Sequence, residues 1–338
     1  MAANSYSIPA NYKSLLNIRE TEIAIKKIKD YFEKALAETL SLIRVSAPLI
    51  VTPESGLNDN LSGVERPVSF DLKHMDGRYV EIVQSLAKWK RMALGRYGFS
   101  IGEGLYTDMN ALRRDDEIDN LHSIYVDQWD WELIISKEER NMDTLVNIVR
   151  KIYKVFKKTQ DFIISEYPCL PHYLPEDITF ITTQELEDLY PDLTPKERER
   201  AIAKRHGAVC LTQIGCKLKS GLPHDRRAPD YDDWDLNCDI IFYYPVLDTA
   251  FEVSSMGIRV DEDTLLSQLK KAQCEERIKL DFHRNILEGK LPYTVGGGLG
   301  QSRICMFFLG KAHIGEVQAS VWPDKMIEDC ASKGVFLL

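Results

Sequence analysis

Hydrophobic residues recur at helical spacing in two long stretches of the chain. In residues 21–42 the apolar positions are Ile25, Ile28, Phe32, Leu36 and Leu40. In residues 143–163 they are Leu145, Ile148, Val149, Ile152, Val155 and Phe156. This spacing predicts an amphipathic helix in each stretch. Further helices are predicted over residues 86–94, 194–207 and 261–288, and the glycine run at 296–300 is expected to open the last one.

Alternating apolar and polar residues predict strands that follow one another in pairs. Asp76-Gly77 separates two such runs and is a strong hairpin signal. Sequential pairs favour an antiparallel sheet, and the regular strand–helix alternation of a doubly wound parallel fold is missing. The sequence therefore predicts an α+β fold, a mostly antiparallel sheet flanked by helices, as one domain over residues 18–338. Residues 1–17 are expected to be an N-terminal extension that could be disordered.

Charge and cysteine content narrow the function classes. The 338 residues carry a formal net charge of −9, which gives no general electrostatic drive to coat nucleic acid or an anionic membrane. The sequence carries no visible secretory signal and no apolar stretch long enough to span a bilayer. The seven cysteines include no C-x-x-C pair, which indicates free thiols in a reducing compartment. A cytoplasmic protein without nucleic-acid or membrane partners is expected.

The glycine-rich stretch VGGGLGQSR, residues 295–303, raises the question of a nucleotide site. A Walker loop requires G-x-x-x-x-G-K-[ST], and no lysine follows these glycines. A dinucleotide fingerprint requires G-x-G-x-x-G early in a strand–helix–strand unit, and neither the spacing nor the position agrees. By itself the run is explained equally well as a tightly packed helix start.

Charged residues elsewhere favour a nucleotide site that includes this run. Arg303 could place its guanidinium over adenine or against a terminal phosphate. Arg113, at the predicted end of a strand, could clamp an α-phosphate bidentately. Asp239 and Glu252 are expected on paired strands, where two carboxylates are costly unless a cation or base neutralises them. Mg²⁺ bound to nucleotide phosphates would do so.

Pro48, Arg113 and the GGGLGQSR run resemble the three motifs of the class II aminoacyl-tRNA synthetase catalytic fold. A narrower resemblance, from residue 18 to the C-terminus, is to the ammonia-dependent asparagine synthetases of the AsnA type. It is carried by the strings DNLSG, QSLAKWKR, GEGLYT, HSIYVDQWDWE, RERAIAK, RAPDYDDW, SSMGIR and GGGLGQSR. The chain differs from the bacterial form of the family after Trp234, where a single Asp235 stands in place of a longer insertion.

The resemblance implies the reaction aspartate + ATP + NH₃ → asparagine + AMP + pyrophosphate, through β-aspartyl-AMP. Arg113 is then expected to bridge the β-carboxylate and the α-phosphate, and Asp239 and Glu252 are expected to hold Mg²⁺. The residues expected to bind ATP are Arg113, Ser123, Val126, Arg259, Gly298 and Arg303.

Aspartate is expected to be held by its charged ends. QSLAKWK resembles the QSPQ-x-x-K segment of aspartyl- and asparaginyl-tRNA synthetases, so Lys90, assisted by Ser85, is expected to bind a substrate carboxylate. Lys88 and Arg91 are expected to be solvated instead. The other residues expected around aspartate are Asp59, Gln128, Asp130, Asp232 and Ser255.

Strand alternation predicts that Gln128 and Asp130 line one pocket, whereas Trp129 and Trp131 pack in the core. Either Asp59 or Asp130 could accept the proton that ammonium must lose before it attacks. The residues expected to take part in catalysis are Arg113, Asp59, Gln128 and Asp130.

Two other functions are compatible with some of these motifs. An aspartyl- or asparaginyl-tRNA synthetase would need an anticodon-binding module, and few residues precede the first predicted helix. A non-catalytic relative that senses an amino acid or a nucleotide would not need every phosphate and metal ligand. Ala2 follows Met1, where glutamine-dependent amidotransferases expose a cysteine, so free ammonia is the expected nitrogen donor.

A homodimer is expected from the resemblance, with the region around Pro48 packed across a two-fold axis. The apolar stripe of residues 25–40 either contributes to that interface or packs only on its own sheet.

Overall fold

The computed structural model describes residues 6–61 and 65–338, so Ser62 and Gly63 of the DNLSG string lie outside the described residues. The helices are α1 (Ile18–Leu40), α2 (Ala87–Tyr97), α3 (Met142–Glu166), α4 (Thr183–Leu189), α5 (Pro195–His206), α6 (Glu262–Lys271), α7 (Asp281–Leu287), α8 (Gln301–Leu309) and α9 (Asp324–Ser332). The strands are β1 (Leu42–Arg44), β2 (Ile50–Val51), β3 (Ser69–Leu72), β4 (Arg78–Ile82), β5 (Gly104–Leu112), β6 (Tyr125–Ile134), β7 (Thr179–Thr182), β8 (Ala208–Thr212), β9 (Asp232–Tyr244), β10 (Thr249–Arg259) and β11 (Thr294–Gly300).

Eight strands form the main sheet in the order β1-β5-β6-β11-β10-β9-β8-β7. The central neighbours are all antiparallel, which confirms the predicted α+β class and its mostly antiparallel sheet. The two edge pairs, β1 with β5 and β7 with β8, are parallel. Parallel neighbours require a crossover connection, and helical segments supply one in each case. A separate three-stranded sheet, β2-β4-β3, contains the predicted hairpin at Asp76-Gly77.

One face of the main sheet is covered by α1, α3 and α8 around the largest hydrophobic core. The stripe predicted on α1 is used here, since Ile28, Phe32, Leu36 and Leu40 are all buried within the chain. Phe32 stacks on Trp129 with ring centroids 5.0 Å apart. Packing on its own sheet is therefore the correct alternative for these four residues.

Two helix predictions near the C-terminus are wrong in detail. The helix expected over 261–288 is divided into α6, a short 3₁₀ turn and α7, because Gln273 adopts a left-handed backbone conformation with φ of 56°. The glycine run does not open a helix but forms strand β11, and α8 begins only at Gln301. The glycines are therefore paired in a sheet instead of forming a phosphate-binding turn.

Residues 6–17 pack against the C-terminal part of the chain. Ile8 and Leu16 are buried, and the Tyr12 hydroxyl donates to Glu316 at 2.9 Å. The Ser7 amide donates to Asn120 at 2.8 Å. These contacts place residues 6–17 against the C-terminal part of the chain, whereas residues 1–5 lie outside the described part of the chain.

Candidate active site

A cleft of about 610 Å³ opens on the face of the main sheet opposite α1 and α3. All of the predicted site residues except Asp239 line it. They are Asp59, Ser85, Lys90, Arg113, Ser123, Val126, Gln128, Asp130, Asp232, Glu252, Ser255, Arg259, Gly298 and Arg303. Trp129 and Trp131 are fully buried in the core on the other face, as alternation along β6 predicts.

Sheet register brings the distant segments of the site together. Gly298 on β11 pairs with Asp130 on β6 and with Ser255 on β10, and Ser255 pairs with Asp239 on β9. Directly opposed residues of antiparallel strands share a face of the sheet. These four positions therefore form one row across the cleft side, although Asp239 itself lies just beyond the cleft wall.

The glycines of β11 make room for polar side chains of the neighbouring strand. A Cβ atom added at Gly298 would lie 2.3 Å from Gln128 Oε1 and 2.9 Å from Asp130 Oδ1. A Cβ atom at Gly296 would lie 1.9 Å from Glu132 Oε2. Glycine is therefore required in β11 because the polar side chains of β6 lie directly against its backbone, where a larger residue would not fit.

Buried ion pairs form the floor of the cleft. Arg259 donates from Nε to Glu132 Oε1 at 2.9 Å and from Nη2 to Glu132 Oε2 at 2.7 Å, and it also pairs with Asp232. Lys90 Nζ lies 3.1 Å from Asp130 Oδ2 and donates to the Gly297 carbonyl at 2.8 Å. Burial lowers the pKa of the Lys90 ammonium. The carboxylates of the floor are Asp130, Glu132 and Asp232, and its cations are Lys90 and Arg259. The floor therefore carries one more negative than positive charge and can accept a further positive group.

Sequence reasoning missed Glu132, and it placed Arg259 with the ATP contacts. The signal for Glu132 was present, because Gln128, Asp130 and Glu132 alternate along one face of β6. In the structure, the Arg259 guanidinium forms ion pairs with the carboxylates of Glu132 and Asp232 beneath the cleft.

The QSLAKWK segment is more deeply buried than predicted. Lys88 and Arg91 were expected to be solvated, but their exposed fractions are only 3% and 2%. Arg91 donates to the carbonyls of Pro292 at 2.8 Å and Val260 at 2.7 Å. Lys88 forms an ion pair with buried Asp230 at 3.1 Å. The expectation was wrong because α2 packs against β5, β6 and β11, and both side chains meet partners from distant segments of the chain.

Asp59 lies at the end of the cleft nearest to Lys88. Its Oδ2 accepts a hydrogen bond from the Tyr231 hydroxyl at 3.1 Å, and its Oδ1 accepts from the Leu61 amide at 2.9 Å. Burial raises the pKa of the Asp59 carboxyl, and the positive charges of Lys88 and Arg113 oppose that rise. The Asp59 carboxylate therefore lies where it can bind a cationic ligand in the cleft.

Arg113 and Arg303 lie on the rim. Within the described residues the Arg113 side chain makes one hydrogen bond, from Nε to the Gln84 carbonyl at 3.3 Å. Arg303 donates from Nη1 to the Glu252 carbonyl at 3.1 Å. Ser123 and Val126 also line the cleft. Both guanidinium groups therefore keep donors that can be directed at an anionic ligand.

The predicted metal ligands share the cleft side of the sheet with a cation that sequence reasoning missed. Arg227 pairs with Asp239 and donates to Ser255 Oγ at 2.7 Å. Burial, with the nearby charges of Glu252 and Glu199, raises the pKa of Asp239 to about 7, although Arg227 opposes the rise. Among residues 6–61 and 65–338, no group of three or more His, Cys, Asp or Glu side chains is arranged to hold a metal.

The part of the chain that the structure describes has no helix long and apolar enough to cross a membrane. Its seven cysteines are unpaired.

Solved structures that match this fold include aminoacyl-tRNA synthetases. Asparaginyl-tRNA synthetase from Pyrococcus horikoshii, crystallised with asparaginyl-adenylate, matches with a TM-score of 0.65 at 17% identity, over 90% of this chain and 71% of that one. Aspartyl-tRNA synthetase from Entamoeba histolytica matches with a TM-score of 0.61 at 16% identity, over 89% of this chain and 59% of that one. These matches establish the predicted class II synthetase-like fold.

Sequence comparison is more specific. The chain is 67% identical to the aspartate–ammonia ligase of Ruminiclostridium cellulolyticum, over 99% of this chain and all of that protein. It is 66% identical to the aspartate–ammonia ligase of Clostridium perfringens strain SM101, over 98% of each. The family model for AsnA, aspartate–ammonia ligase, matches residues 19–334, which contain every predicted site residue. With this match over nearly its whole length, the chain belongs to the aspartate–ammonia ligase family.

Proposed function

We propose that this protein amidates L-aspartate with ammonia at the expense of ATP, giving L-asparagine, AMP and pyrophosphate. The observation that carries the proposal is a single cleft with a buried ionic floor beside the rim guanidinium groups of Arg113 and Arg303, in a chain of this family. An oxygen of the aspartate β-carboxylate forms a bond to the α-phosphorus as pyrophosphate leaves. Ammonia then forms a bond to the β-carbon of the resulting β-aspartyl-AMP, AMP departs, and the nitrogen loses a proton.

The cleft floor is the proposed aspartate site. Lys90 and Ser85 receive the α-carboxylate, and the buried Lys90 ammonium would gain from an added anion. The carboxylates of Asp130 and Asp232 receive the α-ammonium, which offsets the excess negative charge of the floor. Ser255 supplies a neutral hydrogen bond in the same row of the sheet as Asp130, and Gln128 supplies one two residues away on β6. A substrate held at both charged ends leaves its β-carboxylate free to be aligned.

The rim is the proposed ATP site. Arg113 is assigned to the β-carboxylate and the α-phosphate together, because it lies beside the proposed aspartate site and has unengaged donors. Charge that develops on the phosphoryl oxygens is stabilised by such preorganised donors. Ser123 and Val126 are assigned to the nucleoside, and Arg303 to the adenine face and the leaving pyrophosphate. Gly298 allows the nucleotide to approach the backbone of β11 closely. Arg259 is assigned an indirect contribution to ATP binding, through its ion pairs with Glu132 and Asp232 in the cleft floor.

Mg²⁺ is the proposed partner of ATP, with Asp239 and Glu252 as its protein ligands. The residues fit such an ion, because the negative charges of Glu252 and Glu199 act on Asp239, and a buried carboxylate so placed would gain from an added cation. Hard oxygen ligands suit Mg²⁺, which also takes substrate phosphates as ligands. When bound, the ion would offset the charge of the leaving pyrophosphate. Arg227 holds Asp239 in place beside Ser255.

Ammonium is proposed to bind at a carboxylate near the β-carbon and to lose its proton there. Asp59 and Asp130 are the two candidates, and the contacts of each differ. Asp130 is already paired with Lys90, whereas Asp59 accepts only neutral donors among the described residues. Asp59 is therefore the preferred group.

We also propose a cytoplasmic homodimer that binds neither nucleic acid nor membranes. The free thiols support a reducing compartment. Ile43, Leu49 and Ile101 are 59%, 55% and 65% exposed near β1, the last strand at one end of the main sheet. Exposed apolar side chains at a sheet edge support an interface there. Light scattering at micromolar concentration is expected to give twice the monomer mass, and a monomer would contradict the dimer.

The activity is tested by supplying purified protein with aspartate, ATP, Mg²⁺ and ammonium, and by measuring asparagine, AMP and pyrophosphate. All three products are expected in equal amounts. Formation of ADP and phosphate would refute the adenylate route. Aminoacylation of total tRNA without asparagine formation would favour a tRNA synthetase, and binding without turnover would favour a sensor. Glutamine in place of ammonium tests the nitrogen donor.

Arg113 is tested by replacement with alanine. Arg113→Ala is expected to lower aspartate-dependent pyrophosphate release about 10²- to 10³-fold, because a preorganised donor at the developing charge is removed. Arg96→Ala, at an exposed position of α2, is the matched control and should retain activity. Unchanged circular dichroism would show that the fold is intact. Near-normal pyrophosphate release by Arg113→Ala would remove this residue from its proposed role.

A further inference from the structure

A group of buried charges lies directly behind the cleft and outside the roles proposed above. Asp230 is fully buried, and its Oδ2 is approached by Lys88 Nζ at 3.1 Å, Arg277 Nη1 at 3.0 Å and His283 Nε2 at 3.0 Å. His283 is also fully buried. The positive neighbours and the hydrogen bonds lower the pKa of Asp230 far below its usual value, so it is a carboxylate. We refer to Lys88, Asp230, Arg277 and His283 as the rear cluster.

The rear cluster is joined to the cleft through Tyr231, which follows Asp230 in the chain. The hydroxyl of Tyr231 donates to Asp59 Oδ2, and Asp59 is the carboxylate preferred above for ammonium. The backbone of Asp59 is fixed as well, because its carbonyl accepts from Gln84 Nε2 at 3.0 Å. Anchoring Asp230 therefore fixes the hydroxyl that orients the Asp59 side chain.

Lys88 also acts on Asp59 through its charge. The charged groups that face the Asp59 carboxylate are Lys88, Asp230 and Arg113, and the phenol of Tyr231 faces it as a neutral donor. Lys88 offsets the negative charge of Asp230, which would otherwise oppose ionisation of Asp59 at close range. Without Lys88, two buried carboxylates would face each other with only Arg277 and Arg113 to compensate.

We propose that Lys88, held by the rear cluster, is a positioning residue that keeps Asp59 ionised and oriented to receive ammonium. This inference rests on the proposed function and adds to it a residue that lies outside the cleft lining. Lys88 acts on the second half of the reaction, in which β-aspartyl-AMP is attacked by ammonia. It has no direct part in adenylation, for which Lys90 and Arg113 are responsible.

The two half-reactions allow a direct test. Lys88→Met keeps the length of the side chain and removes its charge. Aspartate-dependent exchange of pyrophosphate into ATP, without ammonium, reports adenylation, and asparagine formation reports the ammonia step. In Lys88→Met we expect kcat/KM for ammonium to fall about ten-fold more than the exchange rate on the acid side of the pH profile, where a one-unit rise in the pKa of Asp59 lowers its ionised fraction about ten-fold. The acid limb of the ammonium profile should move to higher pH, since Asp59 must lose its proton before it can bind ammonium.

Control variants separate this role from a merely structural one. Lys88→Arg should restore the pH profile, and Arg96→Met, which removes an exposed charge from the same helix, should leave both half-reactions unchanged. If Lys88→Met does not fold, Tyr231→Phe provides the test, because it removes only the hydroxyl that orients Asp59. Its ammonium KM should then rise several-fold more than its aspartate KM.

An equal loss of both half-reactions in a folded Lys88→Met protein, with an unshifted pH profile, would overturn the inference. So would a Tyr231→Phe protein with an unchanged ammonium KM. Absence of asparagine formation by the wild-type protein would refute the proposed function instead, so the two failures are distinguishable.

Discussion

Replacing Gly298 with alanine adds one methyl group beneath the two β6 side chains proposed to hold aspartate. The new Cβ atom would lie 2.3 Å from Gln128 Oε1 and 2.9 Å from Asp130 Oδ1. Asp130 is fixed by its ion pair with Lys90, so the amide of Gln128 must move. Ordinary contact begins near 3.4 Å, which requires a displacement of about 1 Å.

The displacement is expected to affect activity much more than stability. The clashing atom is the end of a flexible side chain, so the strand can stay in place while Gln128 changes rotamer. A substrate-positioning group that moves by about 1 Å can cost about 10²-fold in rate, which corresponds to about 2.7 kcal/mol of transition-state stabilisation. We therefore expect Gly298→Ala to lower kcat/KM for aspartate about 10²-fold.

The assay is aspartate-dependent pyrophosphate exchange, with the thermal midpoint of unfolding measured in parallel. Gly95→Ala is the matched control, because Gly95 lies on α2 away from the cleft and an added Cβ atom there would be 3.3 Å from Pro292. In the background of Gln128→Ala, the Gly298→Ala change should cause a smaller further loss, because the clashing amide is gone and only the closer approach to Asp130 Oδ1 remains. Activity of Gly298→Ala within two-fold of wild type would refute the reasoning. A large fall in its thermal midpoint would also do so.

Two further predictions concern stability. Arg259→Leu leaves buried Glu132 and Asp232 without their cation, so the free energy of unfolding in urea should fall by about 3–5 kcal/mol; a loss below 1 kcal/mol would show that the floor relaxes. Burial lowers the pKa of His313 from 6.5 to about 4, so the folded state binds fewer protons than the unfolded state between these values. The contribution of His313 to stability is complete above about pH 6.5 and decreases as the pH falls towards 4, reaching a loss of about 2 kcal/mol at pH 5. His313→Gln should remove that part of the acid slope, and identical slopes in both proteins would contradict the assignment.

The sequence by itself determined the local structure and the faces of the strands. Alternation along β6 predicted that Gln128 and Asp130 line a pocket and that Trp129 and Trp131 are buried, and both outcomes are confirmed. Asp76-Gly77 predicted a hairpin, since few residues other than glycine accept a positive φ. These features depend on local steric preferences and on the alternation of side chains along a strand, and both are determined by neighbouring residues in the sequence.

Only the tertiary structure decided which charges are buried and which partners they have. Lys88 looked like a solvated residue on a polar helix, yet it lies behind the cleft against Asp230 from the segment that precedes β9. Arg227 and Glu132 were likewise missed, because their partners come from other strands. A buried charge is tolerated only where an opposite charge or hydrogen bonds meet it. The folded chain brings Arg259 to Glu132 across 127 residues and Lys88 to Asp230 across 142, and the local pattern does not encode these contacts.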